Sequence, residues 1–93
     1  MLKVNEYFDG KVKSIALENA EGNATVGVME QGEYEFGTST VEYMTVTSGS
    51  LNVLLPYSAE WVTYKKGETF IVAKNAKFKV KATGQVAYFC LYK

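Results

Sequence analysis

Histidine and arginine are both absent from this 93-residue sequence, so every one of its ten cations is a lysine. Whatever chemistry the chain performs is therefore done without a histidine. Ten carboxylates balance the lysines, and the pI is near 6.2. A chain with this balance lacks the basic field that binding to nucleic acids or anionic membranes requires. Neither is an expected partner.

Cysteine is scarce, and long apolar runs are missing. Cys90 is the only cysteine, which excludes an internal disulfide. Its neighbours in the segment 88–92 are apolar or aromatic, so we predict a buried structural residue, with a reactive thiol as the alternative. No stretch approaches the roughly 20 apolar residues of a membrane span, and the first residues lack the apolar run of a signal peptide. The expected location is the cytoplasm.

Hydrophobic residues make up 47% of the chain and charged residues 22%. This composition is typical of a folded globular protein, and the length allows one domain over residues 1–93. Short segments rich in valine, tyrosine, phenylalanine and threonine recur about every 8 to 12 residues, with glycine, asparagine or serine between them. The pattern predicts an all-β barrel with these strands: Lys11–Leu17, Ala24–Met29, Glu33–Thr38, Tyr43–Thr47, Leu51–Leu55, Glu60–Tyr64, Thr69–Val72, Lys77–Ala82 and Val86–Tyr92.

Alternation along these strands indicates which side chains face the interior, because successive residues of a strand point to opposite faces. Lysines or glutamates alternate with apolar or aromatic residues in two of the strands. The inward residues predicted in this way are Tyr34, Phe36, Thr38, Met44 and Phe78. Glu42 shares its face with Met44, so the sequence predicts a carboxylate near the mouth of an apolar interior.

The last predicted strand, Val86–Tyr92, is apolar on both faces. A strand of this kind is normally covered on both sides. Because so small a chain has little left to cover the second face, we predict that another subunit covers it, and we expect a homodimer.

Glu42 and Gly49 are separated by six residues, and this spacing resembles the end of the first cupin motif. That motif carries two histidines shortly before the glutamate, and a second motif carries another; here Phe36, Thr38 and Phe78 stand in those places. A lone carboxylate does not hold a transition metal. The resemblance implies an all-β, single-domain cupin-type barrel, of the double-stranded β-helix or jelly-roll kind, with no metal site.

A narrower resemblance extends over nearly the whole chain. Six segments carry it by their order and spacing: Asn5-Glu6-Tyr7-Phe8, Gly10-Lys11-Val12-Lys13-Ser14, Val26-Gly27-Val28-Met29, Gly32-Glu33-Tyr34, Met44-Thr45-Val46 and Leu51-Asn52-Val53-Leu54-Leu55-Pro56. Together they resemble the pyrimidine/purine nucleoside phosphorylase family of small cupins. The resemblance implies phosphorolysis of a broad range of purine and pyrimidine nucleosides to the free base and a pentose 1-phosphate. Nucleosides and inorganic phosphate are then the partners, with phosphate as co-substrate and no cofactor.

Chemistry of this kind can be matched to particular residues. Its transition state carries positive charge on the ribose carbon as the base leaves, and Glu42 is the candidate catalytic residue that would stabilise this charge or hold a ribose hydroxyl. The run Gly37-Thr38-Ser39-Thr40 offers flexible backbone N–H groups and three hydroxyls, which makes it a candidate phosphate nest. The other candidate substrate-binding residues are aromatic or apolar, and the aromatic ones could sandwich a base: Tyr34, Phe36, Met44, Phe78 and Tyr88.

Each candidate also has a plain structural interpretation. Glu42 could be a rim carboxylate in a salt bridge, the run 38–40 a polar turn, and the aromatic residues core packing. Two rival functions follow. One is a non-catalytic, metal-free cupin that binds or senses a small metabolite. The other is a purely structural or protein-binding barrel with a closed interior, which an open cavity of roughly 300 Å³ or more would argue against.

Overall fold

The chain folds into ten β-strands and no helix, in a computed structural model that describes residues 1–93. The strands are β1 (Val4–Tyr7), β2 (Val12–Asn19), β3 (Gly22–Met29), β4 (Gly32–Gly37), β5 (Glu42–Ser48), β6 (Ser50–Leu54), β7 (Val62–Lys65), β8 (Thr69–Val72), β9 (Lys77–Ala82) and β10 (Val86–Tyr92). The tight connection from β5 to β6 depends on Gly49, whose φ of 83° suits a residue without Cβ. The fold contains no helix that could cross a membrane.

The strands form two antiparallel sheets that enclose one core. The larger sheet has the order β1-β2-β3-β10-β5-β8, and the smaller has the order β4-β9-β6-β7. Valines from both sheets, such as Val46 and Val80, are fully buried between them. This arrangement is the all-β, cupin-type barrel that the sequence predicts. The pairing of β3 with β10 joins the first three strands of the chain to its last strand.

All nine predicted strands are present, and β8, β9 and β10 have the predicted bounds. The others differ by one or two residues at one or both ends. At β7 the difference has a visible cause, because the predicted start at Glu60 lies in a turn. The Ser58 hydroxyl donates to the Glu60 carbonyl and accepts from the Glu60 N–H, each at 3.2 Å. These bonds satisfy the backbone of Glu60 outside the sheet, and the strand begins at Val62.

The first strand, β1, is absent from the sequence-based prediction. It lies at the edge of the larger sheet, where three of its four residues are exposed, so it lacks a clear apolar alternation. The signal for it is the pair Asp9-Gly10, since Asp-Gly between two extended segments is a strong indicator of a hairpin turn. The β1–β2 hairpin contributes to the cavity described below.

The predicted inward and outward faces are confirmed in β5 and β9. Met44 and Phe78 are buried, whereas the three lysines of β9 point to solvent. The last strand is also inward on one face, where Val86, Tyr88 and Cys90 are buried. Its other face is only partly covered, and it belongs to an apolar outer surface of the larger sheet.

Candidate active site

A cavity of about 340 Å³ lies between the two sheets. Its exposed lining residues belong to β1 with its turn and to β4, so we place the mouth between these edge strands of the larger and the smaller sheet. The lining residues are Tyr7, Phe8, Ser14, Met29, Glu35, Phe36, Gly37, Glu42, Met44, Phe78, Tyr88, Cys90 and Tyr92. A volume of this size falls within the range of small-molecule sites, and it argues against a barrel with a closed interior. No lysine lines the cavity.

Glu42 begins β5 and lies half-buried in the cavity wall. The Cys90 thiol donates a hydrogen bond to Glu42 Oε1, with 3.5 Å between sulfur and oxygen. Burial raises the pKa of the Glu42 carboxyl, and the bond from Cys90 opposes that rise in part. A carboxylate held in an apolar wall in this way can offset positive charge that develops on a bound ligand.

Three further groups of the wall, the Tyr88 and Tyr92 hydroxyls and the Cys90 thiol, are neutral near pH 7. Burial raises the pKa of Tyr88 to about 12 and also raises the pKa values of Cys90 and Tyr92. The Tyr92 hydroxyl is held by a 2.9 Å hydrogen bond with the hydroxyl of Thr25. Together these groups place hydrogen-bond donors beside a single half-buried carboxylate.

The position of Tyr88 depends on a glycine in the neighbouring strand. Tyr88 on β10 is directly opposite Gly27 on β3. A Cβ at Gly27 would lie 2.4 Å from Cζ and 2.5 Å from the hydroxyl oxygen of Tyr88. The ring therefore occupies space that only glycine leaves open, and this fixes it in the cavity wall.

The sequence profile of the family described as pyrimidine/purine nucleoside phosphorylase matches residues 2–92. The chain belongs to this family. A curated relative from Shewanella pealeana, named pyrimidine/purine nucleoside phosphorylase, is 59% identical over 92 residues, which are 99% of each chain.

Solved structures agree with the fold. A crystal structure of a protein of unknown function from Vibrio parahaemolyticus is 42% identical, with a TM-score of 0.96 over 100% of this chain and 99% of that one. The EutQ protein of Clostridium difficile is 17% identical and covers 97% of this chain and 79% of its own, with a TM-score of 0.75. That likeness concerns the cupin-type fold alone.

The fold brings five of the predicted site residues together in the cavity of this nucleoside phosphorylase family member: Phe36, Glu42, Met44, Phe78 and Tyr88. Tyr34 does not line it. Tyr34 is 5% exposed, and its hydroxyl donates to the Glu30 carbonyl at 2.7 Å. Its ring instead packs beneath Phe8 and Phe36 at the cavity mouth.

Of the predicted phosphate nest, Gly37 lines the cavity, whereas Thr38-Ser39-Thr40 lies outside the cavity wall. The Thr38 hydroxyl donates to the Ala73 carbonyl at 2.6 Å and accepts from the Ala76 N–H at 3.1 Å, so it joins the β4–β5 loop to the β8–β9 turn. Thr38 also lines an open groove that contains Lys77 and shares Gly37 with the cavity. The Thr40 hydroxyl is buried without a hydrogen-bond partner. Phosphate binding by this run remains a prediction.

Several cavity residues were not among the predicted site residues. Tyr7 and Phe8 come from β1 and its turn, and the Asp-Gly pair that follows them is the signal that could have found them. Cys90 is buried, as predicted, but it also contacts Glu42 in the cavity. That contact joins β10 to β5 across the sheet, and no sequence pattern reveals it.

The residues present do not fit the metal centre of a metal-dependent cupin. No group of three or more histidine, cysteine, aspartate or glutamate side chains lies close enough together to hold a metal ion. Glu42 has one neighbour with ligand chemistry, the Cys90 thiol, and burial raises the pKa of that thiol. A metal-bound cysteine is a thiolate, so the pair of Glu42 and Cys90 is poorly suited to bind a metal ion.

Proposed function

We propose that this protein catalyses the phosphorolysis of purine and pyrimidine nucleosides, with broad specificity, to the free base and a pentose 1-phosphate. The observation that carries the proposal is the half-buried carboxylate of Glu42, which lies in a cavity of about 340 Å³ walled by aromatic rings. Membership of the pyrimidine/purine nucleoside phosphorylase family supports it.

In the proposed reaction an oxygen of inorganic phosphate forms a bond to C1′ of the pentose, while the bond from C1′ to the base nitrogen breaks. The base leaves with the electron pair and takes up a proton, which balances the one that the phosphate loses on forming its ester. Positive charge develops on the pentose ring in between, and the ionised Glu42 carboxylate stabilises it. Phosphate approaches through the open groove beside Gly37. Lys77, which lines that groove, supplies a cation. The reaction is metal-independent, and phosphate is its only co-substrate.

Release of free base should depend on phosphate and should survive removal of metals. The purified protein is incubated with adenosine and uridine, with and without phosphate, and with and without EDTA, and free base is measured by chromatography. We expect release only with phosphate and no change with EDTA. Nucleoside binding without release would favour the non-catalytic metabolite-binding cupin. About one transition metal per chain, together with activity lost to EDTA, would contradict metal independence.

We also propose a homodimer that forms through the outer face of the larger sheet. Ile15, Val26 and Phe89 are cross-strand neighbours on this face, and Val26 is 48% exposed. The next row of cross-strand neighbours on this face, which ends at Ile71 on β8, also lacks charged residues. A contiguous apolar surface of this kind is typical of an interface. The charges beside it on the same face, Glu6 and Lys13, pair with each other, so the face can pair with a second copy of itself about a two-fold axis.

A lysine in the centre of this face should break the dimer. Val26→Lys places a charge that the second copy would have to bury without a partner. Light scattering at micromolar concentration should give a dimer for the wild type and a monomer for the variant. Ala59→Lys, which adds the same charge in an exposed loop, should remain dimeric. A monomeric wild type with an intact fold would refute the proposal.

The chain has one free cysteine and no disulfide, as is usual in a reducing compartment. On that ground we place the proposed activity in the cytoplasm.

A further inference from the structure

The turn between β1 and β2 contains three successive residues with positive φ: 54° at Phe8, 57° at Asp9 and 82° at Gly10. The Lys11 N–H donates to the Phe8 carbonyl at 3.2 Å, which closes a turn with Asp9 and Gly10 at its centre. A turn of the I′ type requires positive φ at those two positions only. Phe8 precedes them, and a bulky residue in the left-handed region is disfavoured.

The left-handed backbone of Phe8 changes where its ring lies. Consecutive residues of a strand point to opposite faces, and Tyr7 faces inward, because it pairs with the fully buried Val12. Phe8 would then point outward. Instead both rings contact Phe36, with centroid distances of 6.4 Å for Tyr7 and 5.5 Å for Phe8. Strain of this kind is concentrated at functional sites.

The rings of Tyr7 and Phe8 do not belong to the buried core. Tyr7 is 46% exposed and Phe8 43% exposed, although both line the cavity. They lie at its mouth, where β1 and β4 are the open edges of the two sheets. Glu42 lies on the opposite flank, because β2, β3 and β10 separate β1 from β5 in the larger sheet. The cavity therefore has aromatic rings at one side and the carboxylate at the other.

We propose that the nucleobase binds at this mouth by stacking against Phe8 and Phe36, and that this orientation places the pentose beside Glu42. The proposal rests on the proposed function and names a base-binding residue for it, Phe8. Every nucleobase presents a face that can stack on an aromatic ring. No amide or cationic side chain lines the cavity to read the edge of a base, so purines and pyrimidines are both accepted.

Removing the Phe8 ring should weaken binding of the base, while Phe36 still orients the bound base and the chemical step changes little. Phe8→Asn suits the left-handed backbone, which asparagine tolerates, and Phe8→Leu keeps apolar bulk without a flat ring. KM and kcat are measured with adenosine and uridine, and the Kd of adenine is measured by calorimetry. For both variants we expect KM and the adenine Kd to rise by about 5-fold to 100-fold, with kcat within about twofold of the wild type.

Trp61 provides a matched control. It is an aromatic residue, 37% exposed, and it lines neither this cavity nor the groove beside Gly37. Trp61→Leu should leave both constants unchanged. Unchanged KM and adenine Kd in a folded Phe8→Leu protein would overturn the stacking proposal, while wild-type turnover would leave the proposed function intact. If the wild type binds adenine but releases no base from nucleosides, weaker adenine binding by both Phe8 variants supports base stacking while phosphorolysis fails.

Discussion

Glu42→Gln should lower kcat for phosphorolysis by about 100-fold or more, which corresponds to about 2.7 kcal/mol of transition-state stabilisation. Glutamine keeps the size of the side chain and can still accept the hydrogen bond from Cys90. It cannot carry the negative charge that offsets positive charge on the pentose. The loss should therefore be in kcat, whereas a change in KM alone would mean that Glu42 only positions the substrate.

Glu35→Gln is the matched control for this substitution. Glu35 also lines the cavity, but it belongs to β4 and is exposed, so its charge is screened by water. We expect nearly normal kcat from this variant. Full activity in a folded Glu42→Gln protein would show that the reaction is carried out elsewhere.

The raised pKa of Glu42 also has consequences for pH. Only the ionised form is active, so kcat should fall as the pH is lowered through a pKa above the usual glutamate range. The contribution of Glu42 to the free energy of unfolding changes with pH in the sense opposite to kcat. Because the pKa is higher in the folded state, the wild type gains stability from protonated Glu42 at low pH and loses it as pH rises through that pKa. As the pH rises from acid to neutral, the free energy of unfolding of Glu42→Gln should therefore increase relative to that of the wild type. Denaturant unfolding at several pH values measures this difference.

Gly27→Ala should damage both stability and activity, because the new Cβ would lie 2.4 Å from Cζ of Tyr88. The ring is 6% exposed and packed in the core, so it can move only into the cavity or by separating β3 from β10. Overpacking of this kind costs about 1 to 3 kcal/mol of unfolding free energy. Displacement of a cavity wall by about 1 Å can lower kcat/KM by about 100-fold.

Gly84→Ala is the control for the loss of a glycine. A Cβ at Gly84 meets no atom within 4 Å, and its φ is outside the positive region. We expect wild-type stability and activity from it. The double variant Gly27→Ala, Tyr88→Val should be less destabilised than the sum of the two single variants, because the clash needs both side chains, and it should not recover the activity. If the unfolding midpoint and the turnover of Gly27→Ala equal those of the wild type, the Tyr88 ring can occupy another position without cost.

The sequence by itself was sufficient for the fold class and for the orientation of most strands. Alternation has a period of two residues, so local order alone indicated that Met44 and Phe78 face inward with Glu42 beside them. The complete lack of histidine removes the usual cupin ligand set whatever the packing of the strands. Family membership also follows from the sequence, because it rests on the order of segments along the chain.

Only the tertiary structure decided which residues meet. Glu42 contacts Cys90, Gly27 leaves space for Tyr88, and Phe8 packs on Phe36. Each of these pairs is far apart along the chain, and each contact depends on which strands are neighbours in the sheets and on how the two sheets close over each other. The left-handed backbone at Phe8 is a further case, since the alternation of a strand would have pointed its ring away from the cavity.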